Sequence, residues 1–178
     1  NTGKVDGICK RPLSDPLIFH TQTSTEYWQR RGSLVHTDTK GNDLAPPENV
    51  RIYHWASAQH VGNPLQERPT RGICQNPENV LQTSMIFRAL LDALDNWVSK
   101  AITPPENQIP TNYKGTLVDF KYWKSQFPKI PNLVTPQAPN KLSIYDYGPK
   151  ADLGIFDTLP PRKIQNCSYT IKVPSVDS

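Results

Sequence analysis

Pro16-Leu-Ile-Phe-His-Thr21 and Val50-Arg-Ile-Tyr-His-Trp55 are the two runs on which the reading of this chain turns. Each is short, apolar and rich in β-branched or aromatic residues, and each is bounded by turn formers: Asp15-Pro16 before the first, Pro46-Pro47 before the second. Between them Ser24, followed by Glu26, opens a segment through Val35 that can hold a short helix, and Gly41-Asn42-Asp43 then marks a loop. About thirty residues with a helix-like crossover is the spacing that allows two strands to pair in parallel. An α/β sheet is the fold this predicts.

Downstream, Asn76 is the expected N-cap of a long helix, with Pro77 at its first position and Glu78 in its first turn. Phe87, Leu90, Leu91, Leu94, Trp97 and Val98 recur at helical spacing, and Lys100 and Pro104-Pro105 mark the end. That stripe is expected to pack on the sheet. From Pro104 onward prolines recur so often that an extended wrap is predicted, with short strands at Gly115–Val118, Lys141–Tyr145 and Tyr169–Val173. The expected organisation is therefore a sheet-and-helix portion over 1–103 and a Pro-rich extension over 104–178.

Composition narrows the function classes. With 178 residues the chain has room for one domain and a sizeable core. Its apolar fraction is 36% and its mean hydropathy −0.59, and no run reaches the roughly 18 apolar residues of a membrane span, so no span is expected. Eighteen prolines against nine glycines argue against a helical bundle. The net charge of +4 comes from basic residues scattered singly or in pairs, as at Arg30-Arg31, which is not the basic stripe of a nucleic-acid binder. Cys9, Cys74 and Cys167 are too far apart for a C-x-x-C metal pair, and one disulfide with one thiol left over stays open. Asn166-Cys167-Ser168 fits a glycosylation acceptor. The first residues carry neither an initiator Met nor a signal segment, so the chain reads as starting inside a longer sequence.

In parallel α/β sheets functional groups gather at the carboxyl ends of strands. The loop after the first strand offers one ionisable side chain, Glu26, and the loop after the second offers His60. A carboxylate that fixes the tautomer of an imidazole and stabilises its protonated form is the acid and base pair of acyl transfer. The plainer alternative is that Glu26 caps a helix and His60 bonds a loop. No G-x-S-x-G elbow exists to supply a nucleophile, and Cys74 is the alternative thiol. His20, His36, His54 and His60 match no metal-ligand spacing, and Gly-rich phosphate loops are absent, so neither a metal nor a cofactor is expected.

The motifs Thr21-Gln-Thr-Ser-Thr-Glu-Tyr-Trp28, Ser33-Leu-Val-His-Thr-Asp38 and Asn49-Val-Arg-Ile-Tyr-His-Trp-Ala-Ser-Ala-Gln-His60 resemble the carboxyl-terminal half of a large α/β-hydrolase family of mostly uncharacterised bacterial proteins. Ile86–Trp97, Gly115–Val118 and Phe127–Pro131 are similar to that family's following helix and tail. The resemblance implies that the two strands are the last two of a hydrolase sheet, with Glu26 at the acid position and His60 at the catalytic histidine. It also implies that the serine elbow lies upstream of Asn1, so that the partner is the remainder of the hydrolase and the substrate a small ester or amide. Tyr27, Trp28, Gln59 and Gly62 are the expected substrate-pocket residues. The family's loop after Gln-His is Gly-rich, whereas Val61-Gly-Asn-Pro64 keeps one Gly, and Tyr169–Asp177 resembles a point somewhat before the family's usual end. The competing class is a non-catalytic binding or scaffolding module with a hydrolase-like fold.

Overall fold

The computed structural model describes residues 9, 11, 13–63, 65–165 and 169–177. Cys167, the Asn166–Ser168 acceptor, Pro64 and the first eight residues lie outside them.

The two founding runs form strands β1 (Ile18–Thr23) and β2 (Val50–Trp55), paired in parallel from Ile18 opposite Val50 to Thr23 opposite Trp55. Helix α1 (Ser24–Gln29) follows β1 without a gap, and the short helical segment expected through Val35 is divided, its second part being a 3-10 turn at Gly32–Val35. On one face of β2 Tyr53 and Trp55 join Ala58 in a buried cluster, with Phe19 and Leu90 packed against it. Phe19 meets Tyr53 edge-on at 5.1 Å between ring centroids. Ile52 is buried as well, so β2 is covered on both faces, as a parallel strand requires.

The long helix α2 (Ser84–Lys100) starts seven residues later than the Asn76 cap predicted. Asn76 is engaged elsewhere: its side-chain amide donates to the Val134 carbonyl at 2.7 Å, and its side-chain oxygen accepts from the Val134 amide at 3.0 Å. Asn79 likewise bonds the Ser57 carbonyl. These tertiary bonds hold the segment as a loop. The expected packing of the stripe is met only in part. Leu90, Leu94 and Trp97 are half-buried, whereas Leu91 and Val98 are 66% and 64% exposed.

After Pro104 the chain lies against β2 and the 32–43 loop. Gln108 adds a rung to the outer edge of β2, accepting from the His54 amide at 2.7 Å and donating to the Ile52 carbonyl at 3.0 Å. Strand β3 (Leu117–Asp119) leads into α3 (Phe120–Gln126), a helix the proline reading missed; it falls between Pro110 and Pro128, the longest proline-free stretch after Pro104. Two further pairs are antiparallel: β4 (Tyr145–Asp146) with β5 (Arg162–Lys163), and β3 with β6 (Lys172–Pro174). Gly41, at φ +85°, lets the loop approach this tail, since a side chain there would meet Thr170 Cγ2 at 2.8 Å.

A buried polar pair holds α1 against this framework. Tyr27, with no exposed surface, bonds through its hydroxyl to His36 Nε2 at 2.7 Å, and the His54 ring packs edge-on against Tyr27 at 4.9 Å. Burial pushes His36 down to about 4, outweighing the carboxylate of Asp43 and a backbone hydrogen bond; His20 adds to the fall. His54 is pushed down to about 4 by burial, aided by His36 and opposed by Glu26. Both rings are therefore neutral near pH 7.

A histidine whose folded value lies below its unfolded value leaves the unfolded chain binding more protons in between. Stability must then fall as pH drops from about 6.5 toward about 4. For His36 the full effect is roughly 3 kcal/mol. Urea midpoints at pH 7.5 and 4.5 should show this loss, and His36→Gln, which keeps an acceptor for the Tyr27 hydroxyl, should reduce it while His54 still contributes. An unchanged pH slope in that variant would mean that the ring is not held neutral.

Candidate active site

Three consecutive hydroxyl residues and one carboxylate build the site. Thr23 leaves β1 in an extended conformation as the N-cap of α1, and Glu26 sits three residues on, where its carboxylate reaches back to the cap. Glu26 Oε2 accepts from the Thr23 amide at 2.6 Å and also from the Thr23 hydroxyl. Ser24 Oγ accepts from the Ser57 amide at 2.9 Å, and Thr25 Oγ1 accepts from the His60 amide at 3.1 Å. The Ser24 amide donates to the Ala58 carbonyl at 3.1 Å. The loop that leaves β2 is thus pinned at three points to the first turn of the helix that leaves β1.

Through that pinning, His60 Nδ1 meets the second oxygen of Glu26 in a direct hydrogen bond. The carboxylate side chain is 17% exposed and the imidazole 57%, so the acid is sheltered while the ring opens to solvent. Burial by itself would raise the Glu26 carboxyl, but the hydrogen bonds from the Thr23 hydroxyl and amide, from His60 and from its own backbone outweigh it, and the net shift is downward. An ionised carboxylate on Nδ1 leaves Nε2 as the nitrogen able to accept a proton from a reacting group. Among the described residues no hydroxyl or thiol is hydrogen-bonded to His60 Nε2.

Gly32 explains how α1 sits so close to the 3-10 turn. A side chain there would collide with the Gln22 side chain and lie 2.9 Å from the Glu26 carbonyl carbon and 3.0 Å from the Tyr27 nitrogen.

The remaining expected residues are distributed unevenly. Trp28 lines a cavity on the flank of α1, Gln59 is half-buried, and Gly62 is exposed in the loop beyond His60. Tyr27 is fully buried, with its hydroxyl bonded to His36. Its position in the helix turns it away from the face that carries Glu26. Cys74 is an exposed free thiol in a turn with Arg71, and Cys9 is also free. Asp38 serves its own turn through Lys40 and Asn42, and Asp43 accepts from Asn112 and the Tyr113 amide, so neither competes with Glu26 for His60. Among the described residues no three His, Cys, Asp or Glu side chains gather as metal ligands. Sequence reasoning missed the parts of Ser24 and Thr25. Both stand in the Thr-Ser-Thr-Glu run, and their side-chain oxygens suit them to bond nearby backbone amides.

Neither a curated protein nor a solved structure matches the chain. The family model described as Alpha/beta hydrolase domain matches residues 6–129, well over half of the sequence, and covers β1, β2, α1, α2 and the Glu26–His60 pair. The chain belongs to this alpha/beta hydrolase domain family.

Proposed function

We propose that this protein contributes the base and the acid of a Ser-His-Glu triad to hydrolysis of a carboxylic ester or amide, the serine being supplied by hydrolase sequence outside these 178 residues. The observation that carries the reading is the double use of the Glu26 carboxylate, one oxygen held by Thr23 and the other on His60 Nδ1. In the reaction the serine oxygen attacks the substrate carbonyl while its proton passes to His60 Nε2. The same proton then goes to the leaving alkoxide or amine as the carbonyl re-forms, giving an acyl-enzyme. Water repeats the sequence, losing its proton to Nε2 and releasing the acid and the serine. Glu26 stays ionised throughout and stabilises the imidazolium.

The partner in this proposal is the remainder of the hydrolase sheet, seated against β1. Among the described residues β1 is paired along one edge only, with β2, while β2 is paired along both. An unpaired row of amides and carbonyls beside the exposed apolar residues of α2 suits a further parallel strand with its own covering helices.

Assayed alone, the 178-residue chain should hydrolyse 4-nitrophenyl acetate no faster than its His60→Ala variant. Joined to the serine-bearing remainder, the same substitution should lower kcat by several orders of magnitude with little change in KM. Full activity in the chain alone would contradict an external serine, and an assembled protein indifferent to His60→Ala would favour the non-catalytic module.

A further inference from the structure

A cavity of about 370 Å³ opens where the tail meets the carboxyl ends of β1 and β2. Ser24 and Trp28 come from α1, His54 and Ser57 from the end of β2, Trp123 and Phe127 from α3, and residues 133–136 and 174–176 close the far side. The volume is near the lower end of that of small-molecule sites, enough for one ring and a short substituent.

We propose that this cavity binds a neutral, ring-bearing group. Among the described residues its lining contains no Asp, Glu, Lys or Arg, so a charged ligand would leave water without a counter-charge to meet it. Three of its walls are aromatic. Trp28 meets Trp123 edge-on at 4.6 Å and Trp123 lies 4.6 Å from Phe127, leaving ring faces and edges for a further ring to pack against. Ser24, Ser57 and Thr135 add neutral hydroxyls to the lining.

The walls are held in place before any ligand arrives. Asn76 fastens Val134 by two hydrogen bonds, and the Asn140 amide donates to the Trp28 carbonyl at 2.8 Å. Preformed walls lower the ordering cost of binding. Ser24 and Ser57 line the cavity two residues before Glu26 and three residues before His60. On the hydrolase reading, on which this one assignment rests, the cavity takes the apolar part of the ester or amide; binding itself is independent of that reading.

The test is a titration of the full chain with 4-phenyl-1-butanol, followed through the indole N–H signals of Trp28 and Trp123 in ¹H–¹⁵N NMR spectra. The expected result is a saturable shift of these two signals with Trp97, on the α2 side of the sheet, unmoved. 4-Phenylbutyrate, which has the same ring and a carboxylate, should bind about tenfold or more weakly. Thr135→Trp, placed to fill the cavity, should abolish the shift; should that variant fail to fold, contacts between the alcohol's phenyl protons and the Trp123 ring in the unsubstituted chain read the same point. No saturable shift, an equal response to the carboxylate, or shifts shared with Trp97 would each overturn the proposal. Because binding alone is read, a negative titration leaves the hydrolase reading standing, and failure of the hydrolysis assay leaves the cavity assignment standing.

Discussion

The carboxylate of Glu26 is the point on which the arrangement depends, because its two oxygens serve two different strands. One satisfies the cap of the helix that leaves β1, and the other holds the imidazole delivered by the loop that leaves β2. Neither contact would exist without the parallel pairing that brings the two strand ends side by side, nor without Ser24 and Thr25 fastening the second loop to the first helix turn. A carboxylate bound at both oxygens gives up most of its rotational freedom during folding, which is the preorganisation that a triad acid requires.

Much of this was legible in the chain. β2 begins and ends where the run Val50–Trp55 said it would, and Glu26 and His60 were identifiable because each is the first ionisable side chain after its strand. Tertiary competition erased other signals. Asn76-Pro-Glu78 has the residue types of a helix start, yet two bonds to Val134 outweigh a local cap. The Tyr27–His36 bond was beyond reach because nothing in the spacing of those two residues says that a hydroxyl and an imidazole nine residues apart will be buried together. The cavity was invisible for a similar reason: its walls come from six separate segments, and nothing in the sequence says that the two strand-end motifs meet Asn76, α3 and two pieces of the tail.

The tail is more than a covering layer. It supplies the rung on β2, the antiparallel pair of β3 and β6, and the aromatic wall formed by Trp123 and Phe127. Its frequent prolines suit this work, since rigid extended segments lie along a surface with little conformational entropy left to lose. By contrast, α2 keeps Leu91 and Val98 open to solvent, and among the described residues the neighbouring β1 is paired along one edge only.

The most direct test of the account is whether the Glu26–His60 hydrogen bond exists in solution. Proton NMR of the protein at neutral pH should show a far-downfield, slowly exchanging signal from His60 Nδ1–H, correlated with that ring nitrogen. The signal should vanish in Glu26→Ala while the dispersion of the remaining spectrum persists. A spectrum without that signal, or one in which it survives the loss of Glu26, would contradict the pairing on which the site is built.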